Sequence, residues 1–288
     1  MKIAITGTTG RVGRALADHF GPISEVRELP RTDFDLKSSD VVGRIAALDF
    51  DLLMNPGSMT SLEACEDDPE LAMQVNAVVP GELAARCRAS GRRMIHFSTD
   101  YVLDGSTPGL HDEDSPVAPA SAYARSKLES EKRVLGEGGC VLRVSWVFGK
   151  ERPAFPDLMM QRALAGEPLA AVADKTSLPT GTRDLSGWIE RLIERRLPDT
   201  VVHACHGGEP VSWHGMAEVV VDELLVRGVL ADRPKVEKQR LSDMGAFRAV
   251  RPRHTAMANG RLSGLIGGSV RDWEAALREH VAHQLISR

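Results

Sequence analysis

Long apolar runs are missing from this 288-residue chain. None approaches the roughly 18–20 residues of a membrane span, so a transmembrane protein is not expected. Cysteine is scarce: Cys65, Cys87, Cys140 and Cys205 are widely spaced in apolar surroundings. That argues against a disulfide framework and suits reduced thiols in a cytoplasmic protein. Neither sign of charge dominates. The formal net charge is −4, and basic residues cluster only as the doublets Arg92-Arg93 and Arg195-Arg196. This gives no electrostatic case for nucleic acid or an anionic membrane as partner. Internal repeats and low-complexity linkers are absent as well. The start, Met1-Lys-Ile-Ala-Ile-Thr-Gly7, enters a buried strand at once and leaves no room for a signal-peptide apolar region. What is there is a globular composition, 42% hydrophobic and 26% charged. The length suits one large domain, or a domain with a smaller lobe.

The first half alternates strand and helix patterns. Strands are expected at Lys2–Thr6, Ile23–Leu29, Leu52–Asn55, Arg93–Ser98 and Cys140–Trp146. Helices are expected at Arg11–Phe20, Ser38–Leu48 with Ser38 or Ser39 as N-cap, Pro69–Ser90 and Ala120–Leu135. Fully apolar strands alternating with helices predict an α/β fold, a doubly wound parallel sheet of Rossmann type. After Phe148 the rhythm loosens. Helices at Leu158–Ala165, Leu185–Arg195, Trp213–Val226 and Ser269–Leu285 and strands at Leu169–Ala173 and Val201–Ala204 are expected, with 232–268 polar and irregular. The expected division is a dinucleotide-binding domain, 1–150 plus parts of 175–210. A smaller, discontinuous substrate-binding lobe would take 151–175 and 210–288.

Gly7-Thr8-Thr9-Gly10-Arg11-Val12-Gly13 follows a strand and opens a helix. Glycines there let the backbone approach a pyrophosphate, and the helix N-terminus offers free N–H groups. Gly7, Thr9, Gly10, Arg11, Val12 and Gly13 are therefore candidate cofactor contacts; a plain tight turn is the alternative. Near the end of the second strand stand Arg27, Glu28 and Arg31. Glu28 would suit the ribose hydroxyls of NAD, whereas Arg31, Arg27 or Arg11 would hold the 2′-phosphate of NADP. NADP is the expected cofactor, with NAD the alternative. Asp35 and Leu36 are candidates beside the adenine.

Ser98-Thr99-Asp100-Tyr101 ends a buried strand, where hydroxyls point into the ligand crevice of an open α/β sheet. Tyr123 and Lys127, four apart, fall on one helix face behind the loop prolines Pro116 and Pro119. A phenol beside an ammonium can act as a proton donor. At about 4 Å and an effective dielectric of about 20, the lysine charge is worth roughly 4 kcal/mol, or about three pKa units. His203-Ala-Cys-His206 is not expected to hold a metal, because no second pair accompanies it. Asp112, Glu113 and Asp114 suit solvated loop acids, and Met159-Met160 suits core or lid packing.

These residues resemble the extended short-chain dehydrogenase/reductases, and within them the dTDP-4-dehydrorhamnose reductase group. The resemblance rests on Gly7/Gly10/Gly13, Asn55, Ser98-Thr-Asp-Tyr-Val-Leu-Asp-Gly105 and Tyr123-Ala-Arg-Ser-Lys-Leu-Glu-Ser-Glu131. Arg143-Val-Ser-Trp-Val-Phe-Gly149, Ser177-Leu-Pro-Thr180 with Asp184-Leu185, and Arg251-Pro-Arg-His-Thr continue it. It implies reduction by NAD(P)H of a keto group on a nucleotide-linked sugar. Tyr123 would protonate the carbonyl oxygen, Lys127 would hold the nicotinamide ribose and lower the phenol pKa, and Thr99 would hydrogen-bond the carbonyl. Asn55, Pro56, Gly57 and Ser98 would flank the cofactor, and Tyr101, Trp146 and Arg251 the substrate. Asn76 matches a helix Asn that the family places near the active site.

The chain departs from the family pattern in places. Pro56-Gly-Ser-Met-Thr60 replaces the usual Ala-Ala-x-x-Thr, and His254 replaces an Asn. Ala15 stands where some members have a glutamate used in metal-mediated dimerisation, so that metal is not expected. A monomer or homodimer is expected. The same resemblance leaves open a non-catalytic nucleotide-binding subunit and a sugar-nucleotide epimerase or dehydratase.

Overall fold

The computed structural model describes residues 1–286. Its first half runs β1 (Lys2–Thr6), α1 (Arg11–Phe20), β2 (Glu25–Leu29), α2 (Val41–Ala46), β3 (Leu52–Asn55), α3 (Leu62–Asp67), α4 (Pro69–Met73), α5 (Val79–Ala89), β4 (Arg93–Thr99), α6 (Ala122–Gly136) and β5 (Cys140–Val144). There follow α7 (Phe155–Leu164), β6 (Leu169–Val172), β7 (Thr176–Ser177), α8 (Thr182–Glu194), β8 (Val201–His203), β9 (Val211–Ser212), α9 (Trp213–Val226), β10 (Val236–Gln239), α10 (Gly260–Ile266) and α11 (Trp273–Ile286).

Six strands form a parallel sheet in the order β2-β1-β3-β4-β5-β8. The order reverses between β1 and β3, which opens a crevice outside their carboxyl ends. Both faces are covered. Leu16, Phe20, Leu185, Ile189 and Leu262, from α1, α8 and α10, pack on one face. Val41, Ile45, Leu83 and Val134, from α2, α5 and α6, pack on the other. Each buried aliphatic side chain is worth about 1.5–3 kcal/mol relative to exposure. A further apolar cluster lies apart from the sheet. It joins Met159 and Met160 of α7 to Val220 and Leu224 of α9, Val236 of β10 and Leu277 of α11. The methionine pair is therefore core packing.

Several boundaries differ from expectation. The second strand starts at Glu25 rather than Ile23, and α2 begins at Val41, past both serines. The fifth strand stops at Val144, because Trp146 takes φ +42, a region that bulky residues rarely adopt and that breaks strand geometry. α8 begins at Thr182 and α11 at Trp273. The long helix expected over 69–90 contains a π-helical turn at Gln74–Val78. Pro80 explains it in part: it has no N–H to offer the carbonyl of Asn76 four residues back.

Helix α6 is fixed at several points. Ser121 Oγ accepts from Ala124 N at 3.2 Å, an N-cap worth about 1 kcal/mol. Glu131 binds Arg143 of β5 through Nε at 2.9 Å and Nη2 at 2.7 Å, and both side chains are buried. Ser98 Oγ donates to the same carboxylate at 2.5 Å. Removing one member would leave a buried charge unpaired, at a cost of roughly 3–5 kcal/mol. This bridge sets the rotation of α6, and so the direction in which Tyr123 and Lys127 point.

Candidate active site

A cavity of about 910 Å³ runs from the glycine turn to α6. Gly7, Gly10 and Gly13 stand at one end and Thr99, Tyr123 and Lys127 at the other. The turn needs its glycines. Gly7 has φ +59, and a Cβ on Gly13 would lie 2.3 Å from the carbonyl oxygen of Gly7. Gly10 is the N-cap of α1 and has no side chain to block its first N–H groups. The volume is at the upper end of small-molecule and cofactor sites, and the open helix N-terminus suits a pyrophosphate. The residues present thus fit a dinucleotide. Thr9, Gly10, Arg11, Val12, Gly13, Arg31, Asp35, Leu36, Pro56 and Gly57 would hold it.

Four expected site residues are placed differently from the expectation. Arg11 lines the cavity, but its guanidinium donates to the carbonyls of Val147 at 3.0 Å, Arg152 at 3.2 Å and Pro153 at 2.7 Å. It ties the glycine turn to the opposite rim, with three of its five N–H donors engaged by backbone carbonyls and not left for a 2′-phosphate. Asn55 sits beneath the wall: its side chain accepts from Thr6 Oγ1 at 2.6 Å and donates to His96 Nδ1 at 3.2 Å. Ser98 lines the cavity, yet its hydroxyl serves Glu131, because alternate strand residues face opposite ways. Arg251 is drawn to Glu63 of α3 at 2.9 Å and stacks 3.7 Å over Phe247.

Thr99, Tyr101, Tyr123, Lys127 and Trp146 all line the cavity. The Tyr101 and Tyr123 rings meet edge to face at 6.3 Å. Burial pushes the Tyr123 phenol up, while a hydrogen bond with Thr99 works against it. The lysine does not deliver the three-unit lowering that the spacing alone suggested. Burial brings Lys127 itself down to about 7, with Glu131 and Cys65 acting to raise it. Its amine turns to His96 Nε2 at 3.1 Å. Asn76, in the π turn, accepts at Oδ1 from Ser58 Oγ and Met59 N, each at 2.8 Å. Its Nδ2 donates to Met59 O and Ser126 Oγ, each at 3.0 Å. It braces the unusual loop 56–60 against α6.

Sequence reasoning missed His96, Glu63 and Lys175 and left Asp100 undecided. His96 had a signal, being a histidine set between the apolar Met94, Ile95 and Phe97 of a buried strand. Lys175 is fully buried, with its amine 4.6 Å from the Tyr101 ring centre and bonded to Pro252 O. Burial brings it down to about 8, with Asp100 opposing. Asp100 accepts from Thr255 Oγ1 at 2.5 Å, Ser177 Oγ at 3.2 Å and Thr99 Oγ1 at 3.1 Å. Its carboxylate is thus occupied in holding the lobe and Thr99.

Residues 1–286 match the family model described as the RmlD substrate binding domain. The chain belongs to this family. It is 33% identical to a dTDP-4-dehydrorhamnose reductase of Mycolicibacterium smegmatis, covering 98% of this chain and 85% of that protein. It is 32% identical to a probable dTDP-4,6-dihydroxy-2-methyloxan-3-one 4-ketoreductase of Streptomyces antibioticus, over 97% of this chain and 94% of the other. The crystal structure of a dTDP-4-dehydrorhamnose reductase from Clostridium acetobutylicum superposes with a TM-score of 0.88 at 27% identity, covering 100% of both chains. A Bacillus anthracis dTDP-4-dehydrorhamnose reductase, in complex with NADP, has the same fold with a TM-score of 0.88 at 24% identity over 98% of this chain and 99% of that one. As a member of the RmlD family, the chain carries its doubly wound sheet.

Proposed function

We propose that this protein is an NADPH-dependent reductase of a keto group on a nucleotide-linked sugar. One observation carries the reading: Thr99 from β4 and Tyr123 and Lys127 from α6 share a cavity with the Gly7–Gly13 turn. The names of the M. smegmatis and S. antibioticus relatives support the substrate class. The NADP complex of the B. anthracis structure supports the cofactor. Among the cavity residues Arg31 is the arginine suited to a 2′-phosphate, since Glu28, the acid that would favour NAD, is held by Arg14 at 2.6 and 3.1 Å.

A bound nicotinamide would supply the hydride. Tyr123, whose phenol burial keeps protonated, donates to the carbonyl oxygen, and Thr99 turns its hydroxyl hydrogen from Asp100 to hold that oxygen in place. Lys127 binds the ribose. Tyr101, Trp146 and Arg251 receive the nucleotide sugar. In the same reading 1–150 with parts of 175–210 bind the dinucleotide, and 151–175 with 210–288 form the substrate lobe; the separate apolar cluster around α7, α9 and α11 supports that division. No helix among the described residues is long and apolar enough to cross a membrane. The four unpaired, buried thiols support a cytoplasmic setting.

The test is to mix purified protein with NADPH or NADH and a panel of dTDP- and UDP-linked keto sugars, following loss of reduced-cofactor absorbance. Oxidation of NADPH by at least one 4-keto sugar nucleotide is expected. Tight NADPH binding without turnover across the panel would overturn the reading in favour of a nucleotide-binding subunit.

A further inference from the structure

Lys175 brings a charge into the interior behind the cavity wall. It stands between β6 and β7 and is fully buried. The next residue fixes its backbone: Thr176 N donates to Arg253 O at 2.7 Å, and Thr255 N donates back to Thr176 O at 3.0 Å. The amine itself donates to the Pro252 carbonyl of the same late segment. From that anchor it faces two rings. The Tyr101 ring centre is 4.6 Å away and the Trp146 ring centre 5.8 Å. Both lie within the roughly 6 Å over which a cation is attracted to an aromatic face.

Both rings line the cavity and Lys175 does not. It stands behind the wall and not in it. The Trp146 indole N–H has no acceptor among the described residues, so ring contacts orient the indole: Lys175 and, at 5.4 Å, Trp213. Asp100 acts on the amine at longer range, its oxygens being taken by the hydroxyls of Thr99, Ser177 and Thr255. An apolar side chain would fill this space without stripping water from a charge. What the ammonium adds is attraction for the two ring faces.

We propose that Lys175 is a positioning residue of the substrate site: its ammonium, anchored on the Pro252 carbonyl, holds the Tyr101 and Trp146 rings as the wall that receives the nucleotide sugar. The inference rests on the reductase reading above. The titratable and charged groups around the amine are Asp100 and Tyr101, which follow β4, and Arg251 and His254 of the late segment. Burial lowers the amine to about 8, Arg251 adds to this and Asp100 opposes it, so the ammonium form prevails at neutral pH.

The first experiment needs no substrate. In carbon-13 spectra of lysine-labelled protein, one ε-methylene in contact with the Trp146 indole protons should lie upfield of the surface lysines, because two ring faces shield it. It should titrate near pH 8 and not near 10.5. No such signal overturns the inference and leaves the reductase reading untouched. Wild-type protein that reduces no keto sugar would overturn that reading and leave this spectrum as it is. The second experiment is kinetic. Lys175→Met keeps the length and removes the charge. KM for the nucleotide sugar should rise about ten- to thirtyfold, the range for a desolvated cation–π contact. kcat and NADPH affinity should change less than about threefold, since α6 and β4 carry Tyr123 and Thr99. On a Tyr101→Leu background, where one ring is already gone, the same substitution should raise KM no more than about threefold. Equal rises in both backgrounds, or losses of kcat and NADPH affinity along with KM, would mean structural support only and would overturn the proposal. Should Lys175→Met fail to fold, Lys175→Gln takes its place, with an amide donor for Pro252 and no charge for the rings. The same rise in KM is expected, and a wild-type KM overturns the proposal.

Discussion

Arg251 Nη2 meets Glu63 Oε1 at 2.9 Å and joins the late Arg-Pro segment to α3 beside the cavity. Arg248 makes a parallel pair with Asp67 at 2.9 Å. Burial acts to raise Glu63, but the hydrogen bond from Arg251, backbone hydrogen bonds and the Arg251 charge together outweigh it and hold the carboxyl low. A substrate diphosphate that needs Arg251 must compete with this carboxylate. Glu63→Gln should therefore lower KM for the nucleotide sugar about two- to fivefold at unchanged kcat and, because the Arg251 side chain is buried in this pair, cost more stability than the roughly 1 kcal/mol of an exposed ion pair. Steady-state kinetics and urea titration check it; a raised KM would show that Glu63 holds Arg251 in its working position.

Tyr123→Phe removes the proposed proton donor and leaves the ring packed against Tyr101. Turnover should fall by about 10²–10⁴. NADPH affinity, read by fluorescence quenching, should change less than about twofold, because the phenol oxygen is one contact among many. Turnover near wild type would remove Tyr123 from the chemistry.

Lys127 gives the protein a pH dependence of known sign. Its folded value, about 7, lies below the ordinary lysine value of 10.5. Between them the unfolded chain binds the extra proton, so stability rises with pH across that window. The lysine's destabilising contribution is complete below about pH 7 and fades as pH approaches about 10.4. Urea titrations of wild type and Lys127→Met from pH 7 to 10 should diverge by up to about 1.4 kcal/mol per pH unit. Parallel curves would show that the amine is not buried in solution.

Cofactor choice turns on Arg31 and the Arg14–Glu28 pair. Arg31 is exposed and its partner Asp35 is 3.6 Å away. Arg31→Ala should raise KM for NADPH about tenfold and leave NADH nearly unchanged, since a charge-assisted phosphate contact is worth about 1.5–3 kcal/mol. Arg14→Gln frees Glu28 and should improve NADH relative to NADPH. Equal effects of Arg31→Ala on both cofactors would show that Arg31 does not read the 2′-phosphate, and an unchanged NADH preference in Arg14→Gln that Glu28 does not read the ribose.

The sheet was legible because β1, β3, β4 and β5 are apolar runs whose pattern does not depend on distant partners. The lobe was not. β10 is Val-Glu-Lys-Gln, a strand through its pairing with β6 and not through its own pattern. α10 carries Gly260 and Gly264, which mask its helical character. α3 follows a Pro-Gly-Ser loop and is held by its Ser61 cap. In the site, helix spacing put Tyr123 and Lys127 on one face, but it could not say what the amine would meet. That depends on His96, which is 31 residues away in sequence. Ser98 was expected on the cavity from its place at a strand end and Asn55 from the family resemblance; the strand pleat and their neighbours, Glu131 for Ser98 and Thr6 with His96 for Asn55, engage their side chains elsewhere.

The π turn has a consequence for anyone redesigning selectivity. Asn76 engages Ser58 and Met59 with both ends of its amide, so this stretch of cavity wall is set by the helix and not by the loop's own sequence. A substitution at 58 removes a hydroxyl from that amide, whereas Met59 is held through its backbone, so the loop keeps its path whatever side chain stands at 59. Thr60 and Leu62 border the same cavity beyond that amide's reach and outside the Ser61 cap, and there the enzyme offers its most editable surface.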